Sequence, residues 1–174
     1  MLIRPATGQD LDGVLQGYEE LLKHEEQHGA YTRWKRGVYP TKETAQTSLD
    51  EGTLHVLEQD GEICASVILN RVQPMEYASI EWKHEVAPDE ALVIHTLCVR
   101  PSKSGGGMGR KMVAYAMERA RQMGCKVIRL DTSARNRPAV SLYVKLGFDI
   151  VSSSRILLDG LIPDDDHLFL EISV

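Results

Sequence analysis

A run of glycines between an apolar segment and an amphipathic one constrains this chain more than any other feature. Ala91–Val99 is apolar almost throughout, which predicts a buried strand, and Pro101 ends it. The next segment predicts a helix over Gly107–Met123, because its apolar residues recur at helical spacing: Met108, Met112, Val113, Ala116, Met117 and Ala120. Four of the five positions in Gly105–Gly109 are glycine. The chain therefore places a glycine-rich loop between a buried strand and the N-terminus of a helix.

This loop has the chemistry of a diphosphate site. A helix N-terminus carries N–H groups without acceptors and the positive end of the helix dipole, and glycine lets a phosphate approach the backbone closely. Gly109 is followed by Arg110 and Lys111, not by the Lys-Ser/Thr of a Walker loop, and the loop lies later in the chain than a dinucleotide loop does. Asp131, 22 residues after Gly109, keeps a dinucleotide site open as an alternative. A connector that binds nothing is the other alternative.

Charge and composition narrow the classes of partner. The net charge of −5 argues against a general nucleic-acid binder, whereas a group of basic residues around the loop suits a small anion: Arg100, Lys103, Arg110 and Lys111. The three cysteines lie apart in apolar segments, which predicts buried thiols and no metal site. No apolar run is long enough to span a membrane, and the N-terminus lacks the apolar core of a signal peptide, so we expect a cytoplasmic protein.

The remaining segments complete a pattern of strands and helices. Helices are predicted from Leu11 to the stop at Gly29, over Thr41–Glu51, and from Asn136 to Leu146. Further strands are predicted at Leu2–Pro5, Thr53–Glu58, Glu62–Asn70, Lys126–Asp131, Phe148–Ser152 and His167–Ile172. Arg71–Glu90 shows no pattern that can be assigned. The order predicts a single domain over residues 1–174 with an α/β (α+β) fold, in which a mixed sheet has helices on both faces.

Two motifs carry a resemblance to a known superfamily. The first is Leu97-Cys98-Val99 and Pro101, followed by Ser104–Gly109. The second is a spaced set on the last predicted helix and beyond it: Asn136, Ala139, Tyr143, Gly147 and Phe148. In residue type and mutual spacing they resemble the cofactor loop and the following helix of the GNAT acyltransferase superfamily. Ser104 departs from the family pattern, which has Arg or Gln there.

The resemblance implies a fold, a cofactor and a reaction. It implies a central sheet of about seven strands, acetyl-CoA as the acyl donor, and direct transfer of the acetyl group to a primary amine of a small molecule or protein. It also implies which residues bind the cofactor: Leu97, Cys98, Val99, Ser104, Gly105, Gly106, Gly107, Met108, Gly109, Arg110, Asn136, Ala139 and Tyr143. A homodimer is the base-rate expectation for the assembly.

Three catalytic tasks follow from the same resemblance. A backbone N–H of Val99 or Cys98 would polarise the thioester carbonyl. Tyr143 stands at the position of the family's general acid, and its alternative role is that of a buried aromatic residue. His95 stands where several members carry a glutamate base, and its imidazole suits proton transfer near neutral pH. Glu81 is a second candidate for the base, and a purely structural His95 is the alternative.

The acceptor site is expected in two segments rich in aromatic and acidic residues. Such residues suit a cationic amine, although packing of the loops explains them equally well. The residues concerned are Tyr31, Trp34, Tyr39, Glu76, Tyr77, Glu81 and Trp82.

Two other functions compete with an acyltransferase. His24, Glu25 and His28 match the H-E-x-x-H pattern of zinc hydrolases, but Gly29 ends the predicted helix directly after the second histidine. The alternative for this segment is a solvated helix end. A non-catalytic sensor of acyl-CoA would keep the glycine loop and would not need Tyr143.

Overall fold

The computed structural model describes residues 1–158 and 160–174. The strands are Leu2–Pro5 (β1), Leu54–Gln59 (β2), Glu62–Asn70 (β3), Ala91–Val99 (β4), Val127–Ser133 (β5), Asp149–Leu158 (β6) and Ile162–Ser173 (β7). The α-helices are Leu11–His28 (α1), Lys42–Asp50 (α2), Met108–Gln122 (α3) and Arg137–Lys145 (α4). Their order confirms the predicted order of elements. No helix of the described residues is long and apolar enough to cross a lipid bilayer.

The strands form one mixed sheet in the order β1-β2-β3-β4-β5-β7-β6. β4 and β5 are parallel, and Ala91–Val93 pairs with Val127–Arg129. The pairs β1–β2, β2–β3, β5–β7 and β6–β7 are antiparallel. A seven-stranded mixed sheet with α-helices confirms the predicted fold class.

The last hairpin is longer than its sequence pattern predicts. β6 extends to Leu158 and β7 begins at Ile162, whereas the apolar alternation predicts only Phe148–Ser152 and His167–Ile172. Ser152–Ser154 offers no apolar period, so cross-strand hydrogen bonding extends these strands where side-chain patterning does not.

The chain divides into two compact units. The first consists of Met1–Ala30, Trp34–Leu69 and Thr96–Tyr115. Its core consists of apolar residues from α1, α2 and the strands: Val14, Tyr18, Leu21, Ala45, Leu54, Val56, Ile63, Ile68 and Cys98. Gly13 lets α1 approach β3, because a Cβ atom there would lie 2.7 Å from Cγ1 of Ile63. A single functional domain over residues 1–174 stays a prediction.

The second unit consists of Tyr31–Arg33, Asn70–His95 and Ala116–Val174. It contains the segment that has no sequence pattern, Arg71–Glu90, and a buried arginine organises this segment. The guanidinium of Arg129 donates to Oε2 of Glu171 (2.9 Å), to Oε1 of Gln73 (2.7 Å) and to the carbonyl of His84 (3.0 Å). It also lies 4.4 Å from the ring centre of Trp82. One cation therefore holds the irregular segment at Gln73 and again at His84.

Candidate functional site

The glycine loop of the first unit is exposed and has backbone angles that favour glycine. Gly105 has a φ of 85° and Gly107 a φ of 72°, both in the left-handed region. A Cβ atom added to either would meet no heavy atom within 4 Å. Glycine is therefore required here by the backbone conformation, because the space around the loop is open.

The N–H groups of this loop are available to a ligand. The N–H of Ser104 donates to the carbonyl of Pro101 (3.1 Å), and the N–H of Lys111 donates to the carbonyl of Gly107 (3.1 Å). Between them, no acceptor in the described part of the chain takes a hydrogen bond from the N–H groups of residues 105–110. These groups surround the start of α3 at Met108, where the helix dipole is positive. The arrangement suits an anion with several oxygens, such as a diphosphate.

The basic residues near the loop differ in their availability. Lys103 forms an ion pair with Glu62 (2.6 Å), and Arg100 forms one with Glu20 (2.8 Å). Arg110 is exposed, and no carboxylate in residues 1–158 or 160–174 forms an ion pair with it. Two of the four basic residues expected around the loop are therefore bound to carboxylates. Arg110 is the better partner for a phosphate.

The C-terminal half of β4 bends at Thr96. This residue is buried and has a φ of 47°, a conformation that β-branched residues seldom adopt. Its Oγ1 is hydrogen-bonded to the hydroxyl of Tyr39. Leu97 and Val99 are half-buried, whereas Cys98 is buried. Burial raises the pKa of the Cys98 thiol to about 12, so this thiol is neutral and a poor nucleophile.

The direction of one hydrogen bond distinguishes the two candidate amides. The N–H of Arg100 donates to the carbonyl of Cys64 in β3 (2.9 Å). Successive N–H groups of a strand point to opposite edges, so the N–H of Val99 points to the edge away from β3. Of the two predicted amides, that of Val99 is therefore the better donor to a ligand along that edge.

His95 lies in the second unit and is held through one ring nitrogen. Its Nε2 lies 3.0 Å from Oδ1 of Asn70 and 3.2 Å from the carbonyl oxygen of Val72. Burial lowers the pKa of His95, and the negative charge of Asp131 opposes this effect in part. The imidazole is therefore neutral at neutral pH, as a general base must be before it accepts a proton.

Tyr143 lies on α4, and the start of this helix explains the role of Asn136. The Oδ1 atom of Asn136 accepts a hydrogen bond from the N–H of Ala139 (3.3 Å) and so caps the helix. Tyr143 is buried and packs edge-on against Phe148. Burial, and then the charge of Asp131, raise the pKa of the Tyr143 phenol, so it keeps its proton at neutral pH.

A buried polar cluster also occupies the second unit, and we call it the Asp131 cluster. His167 is 2% exposed, and its Nε2 lies 2.6 Å from Asp131 while its Nδ1 lies 2.7 Å from Asp164. The hydroxyl of Tyr77 donates to the other oxygen of Asp131 (2.7 Å). Carboxylates only accept, so His167 donates from both nitrogens and is an imidazolium.

The pKa values in this cluster agree with that protonation state. Burial by itself would lower the pKa of His167, but its hydrogen bonds and ion pairs with Asp131 and Asp164 outweigh burial and raise it. Burial would raise the pKa of Asp131, and the hydrogen bond from His167 outweighs this and lowers it. Asp131 is therefore ionised and already holds two donors, which weakens the dinucleotide alternative in which it would hold a ribose.

Comparison with known proteins identifies the family. The model of the Acetyltransferase (GNAT) family matches residues 16–148, a span that includes the glycine loop, His95 and Tyr143. The chain belongs to the GNAT family of acetyltransferases.

Two relatives and one solved structure illustrate the similarity. The uncharacterized N-acetyltransferase MJ1207 of Methanocaldococcus jannaschii is 25% identical over 155 residues, which cover 84% of this chain and 60% of that protein. The aminoalkylphosphonate N-acetyltransferase of Salmonella typhimurium is 29% identical over 147 residues, covering 84% of this chain and 83% of the relative. The structure of YncA from Salmonella typhimurium with its cofactor acetyl-CoA has the same fold, with a TM-score of 0.71 at 18% identity over 99% of this chain and 93% of that one.

The structure also locates Glu81, the second candidate for the base, and two aromatic residues expected at the acceptor site. Glu81 is exposed, and the described contacts link it neither to His95 nor to Tyr143. Two of the aromatic residues expected at the acceptor site pack together instead: Tyr77 is buried, and the indole N–H of Trp82 donates to its carbonyl (3.1 Å). Both rings pack against Phe169, so the packing alternative is correct for this pair.

The H-E-x-x-H pattern has a structural explanation. The rings of His24 and His28 are stacked with their centres 4.3 Å apart, and Nδ1 of His28 donates to the carbonyl of His24 (2.9 Å). Glu25 is buried, and α1 ends at His28 as predicted. Over residues 1–158 and 160–174, no three histidine, cysteine or carboxylate side chains form a group that could hold a metal ion.

The sequence-based interpretation missed the partners of Asp131. His167 and Asp164 belong to no motif, and the position of Asp131 in the sequence indicates only a dinucleotide site. One indication is available in hindsight: His167 lies in a strand whose following residues, Leu168–Leu170, are all apolar. A polar residue buried in such a strand needs a partner.

Proposed function

We propose that this chain is an N-acetyltransferase that moves an acetyl group from acetyl-CoA to a primary amine. The observation that carries the proposal is the row of N–H groups at residues 105–110, for which residues 1–158 and 160–174 provide no acceptor, in a chain that belongs to the GNAT family. The YncA structure, solved with its cofactor acetyl-CoA, supports the same donor for this chain.

The glycine loop would hold the diphosphate of acetyl-CoA. Its N–H groups from Gly105 to Arg110 fit oxygens that accept several hydrogen bonds, and the Arg110 side chain adds a positive charge. Ser104 contributes a neutral hydroxyl donor in place of the usual charged or amide side chain. When bound, acetyl-CoA supplies an activated acetyl thioester, whose carbonyl carbon the acceptor amine attacks.

The N–H of Val99 would polarise the reacting carbonyl. It points to the edge of β4 away from β3, and a fixed backbone donor needs no rearrangement as negative charge develops on oxygen. The positive φ of Thr96 changes the direction of the backbone and so determines how Leu97–Val99 are oriented.

Two side chains would carry the protons. His95 takes the proton of the acceptor ammonium at a ring nitrogen, so that the amine has a free electron pair for the new C–N bond. Tyr143 keeps its phenolic proton, because burial raises its pKa, and would donate it to the sulfur as the C–S bond breaks. The attacking nitrogen would lose its second proton to the Tyr143 phenolate as the amide forms, which restores the phenol. We assign no role to Glu81, because it is exposed.

The acceptor is proposed as a primary amine on a small molecule or on a protein. The aminoalkylphosphonate N-acetyltransferase of Salmonella typhimurium supports a small amine. A cytoplasmic location and a homodimer stay predictions.

The first test measures acetyl-CoA binding by calorimetry with two matched glycine variants. Gly107→Ala forces a side chain onto a φ of 72° in the loop, whereas Gly52→Ala does the same at a φ of 69° after α2, also in open space. Both should lose about 1–2 kcal/mol of stability, because alanine is strained at a positive φ. Only Gly107→Ala should weaken acetyl-CoA binding, by about ten-fold, through misdirected N–H groups. Equal affinities in both variants would contradict the diphosphate site.

The second test is a panel of acceptors with acetyl-CoA, in which free thiol release is measured. The panel should include aminoalkylphosphonates, amino acids, polyamines and peptides with a free N-terminus. Tyr143→Phe should lower turnover on any accepted amine by about 10²-fold, within the range for a general acid, while acetyl-CoA affinity is retained. Tight binding of acetyl-CoA without thiol release from any amine would contradict an enzyme and favour the acyl-CoA sensor.

A further inference from the structure

The amide of Asn70 has a fixed orientation beside His95. Its Oδ1 atom accepts a hydrogen bond from the backbone N–H of Val72 (2.9 Å). A backbone N–H only donates, so the atom facing Val72 is the amide oxygen and not the nitrogen. The same oxygen lies 3.0 Å from Nε2 of His95. The orientation of the amide is therefore set independently of the histidine.

The protonation of the His95 ring follows from these contacts. Nε2 faces the amide oxygen of Asn70 and the carbonyl oxygen of Val72, and both atoms are acceptors. Nε2 must therefore carry the hydrogen. A neutral imidazole has one N–H, which leaves the electron pair on Nδ1. No side chain or backbone group of the described residues makes a hydrogen bond to Nδ1.

We propose that Asn70 is a positioning residue that holds His95 as the Nε2–H tautomer, so that Nδ1 is the atom that takes the proton of the acceptor amine. This inference rests on the proposed function of His95 as the base. It adds the atom that reacts and the residue that selects it.

The charge around this ring also matters for a pH test. Asn70, the last residue of β3, and Val72, two residues later, present neutral acceptors to Nε2. From β5, the Asp131 carboxylate acts on His95, and Asp131 is itself bound to His167 and Tyr77. A negative charge placed at residue 70 would therefore add to that of Asp131 and favour the imidazolium.

Asn70→Asp and Asn70→Ala should have different effects on the reaction. Asn70→Asp keeps an oxygen that accepts from both Val72 and His95, so the tautomer is held, but it adds a negative charge. The acidic limb of the pH profile of kcat/KM should move to higher pH, and the rate on the alkaline plateau should stay within about three-fold of wild type. Asn70→Ala removes one of the two acceptors of Nε2 and the hydrogen bond that holds Val72, so the ring is held less firmly, and kcat should fall about ten-fold or more while KM for acetyl-CoA is unchanged.

A control variant and a second readout distinguish positioning from general loosening of the segment. Ser79 donates to the carbonyl of Glu76 (2.9 Å) in the same irregular segment, and Ser79→Ala should leave both kcat and the pH profile unchanged. Nitrogen NMR of the histidine rings, with His95 assigned by comparison with His95→Gln, should show His95 protonated at Nε2 in wild type and as a mixture of tautomers in Asn70→Ala.

The outcomes separate this inference from the proposed function. If the NMR spectra show Nδ1–H in the wild-type protein, or the same tautomer in Asn70→Ala, the positioning role is wrong whether or not the protein transfers acetyl groups. If the tautomer is as stated but Asn70→Asp leaves the acidic limb unmoved, His95 is not the titrating base, and the proposed mechanism fails at that residue. If both readouts move as expected, Asn70 acts through His95.

Discussion

The glycine loop and the Asp131 cluster form their polar sites in opposite ways. The loop is one continuous stretch, exposed, and presents backbone N–H groups that have no acceptor in the described residues. The Asp131 cluster combines side chains from three distant parts of the chain around a histidine that is 2% exposed, and each of its groups is already bound to another. The loop is ready to bind a ligand from solution, whereas the cluster supplies fixed charge.

This difference determines whether the glycine loop and the Asp131 cluster can be predicted from the amino-acid sequence. A backbone site depends on the glycine positions and on the neighbouring strand and helix, all of which lie in the one continuous segment Ala91–Gln122. A side-chain cluster depends on the register between strands. Asp131 pairs with Phe169, and Ser133 pairs with His167, so Asp131 and His167 are diagonal neighbours across β5 and β7. The following substitutions test this contrast between a local backbone site and a long-range side-chain network.

The largest effect is expected where a buried charge loses its partner. Arg129→Leu removes the ion-pair partner of the fully buried Glu171 side chain and leaves it only its contacts with His84, which should lower the free energy of unfolding by about 3–5 kcal/mol. Chemical denaturation measures this loss. Arg155→Leu is the matched control, because Arg155 pairs with Asp165 at the surface, with 72% and 76% of the side chains exposed, and should leave the midpoint unchanged. Equal losses in the two variants would contradict a special role for the buried network.

The next effect depends on pH. The folded state raises the pKa of His167 above its unfolded value of about 6.5, so its contribution to stability is complete below that pH and is lost as pH rises through the folded pKa. The pKa of Asp131 is lowered, so its contribution is present above about pH 3.9 and is lost as pH falls through the folded value. His167→Gln should therefore cost most between these limits, about 1.5–3 kcal/mol, and less at alkaline pH.

Unfolding measured in urea from pH 4.5 to pH 9 checks this dependence, with His24→Gln, a change at a partly exposed histidine, as the control. A difference between wild type and His167→Gln that grows with rising pH would contradict the buried imidazolium.

A smaller effect is expected at the bend of β4. Tyr39→Phe removes the hydroxyl that bonds to Thr96, and should cost about 1 kcal/mol. In a Thr96→Gly background the same change should cost less, because glycine adopts the positive φ freely and carries no Oγ1 for the Tyr39 hydroxyl. The coupling of up to about 1 kcal/mol is measured by a double-mutant cycle in chemical denaturation. Additive costs would show that Tyr39 stabilises another part of the first unit.

The smallest effect concerns the charges around the glycine loop. Arg110→Ala should weaken acetyl-CoA binding about two- to five-fold at low salt, and the difference should shrink as salt is added. Lys103→Ala should change affinity less, because Lys103 is paired with Glu62. Calorimetry at two ionic strengths measures both. A larger loss for Lys103→Ala would show that Lys103 leaves its carboxylate to bind the ligand.

The order of elements, the boundaries of β4 and the loop before α3 could all be predicted from apolar period and glycine spacing. Asn136 and Tyr143 belong to a sequence motif, and the structure adds that Asn136 caps its helix. The segment Arg71–Glu90 could not be predicted, because Arg129 and Glu171, which lie far away in sequence, hold it in place. Asn70 gave no indication of its role, since its contact with His95 depends on the turn to Val72.

The three donors of Arg129 also limit where this segment can change in length. Gln73 and His84 both accept hydrogen bonds from the Arg129 guanidinium. The residues between them therefore form a loop whose two ends are held by the same cation. Extra residues inserted near Ser79 should lengthen this loop without moving Gln73 or His84. An insertion between Asn70 and Gln73 would instead displace the neighbours of His95. Related chains should therefore tolerate variation at the tip of this segment and resist it at the base.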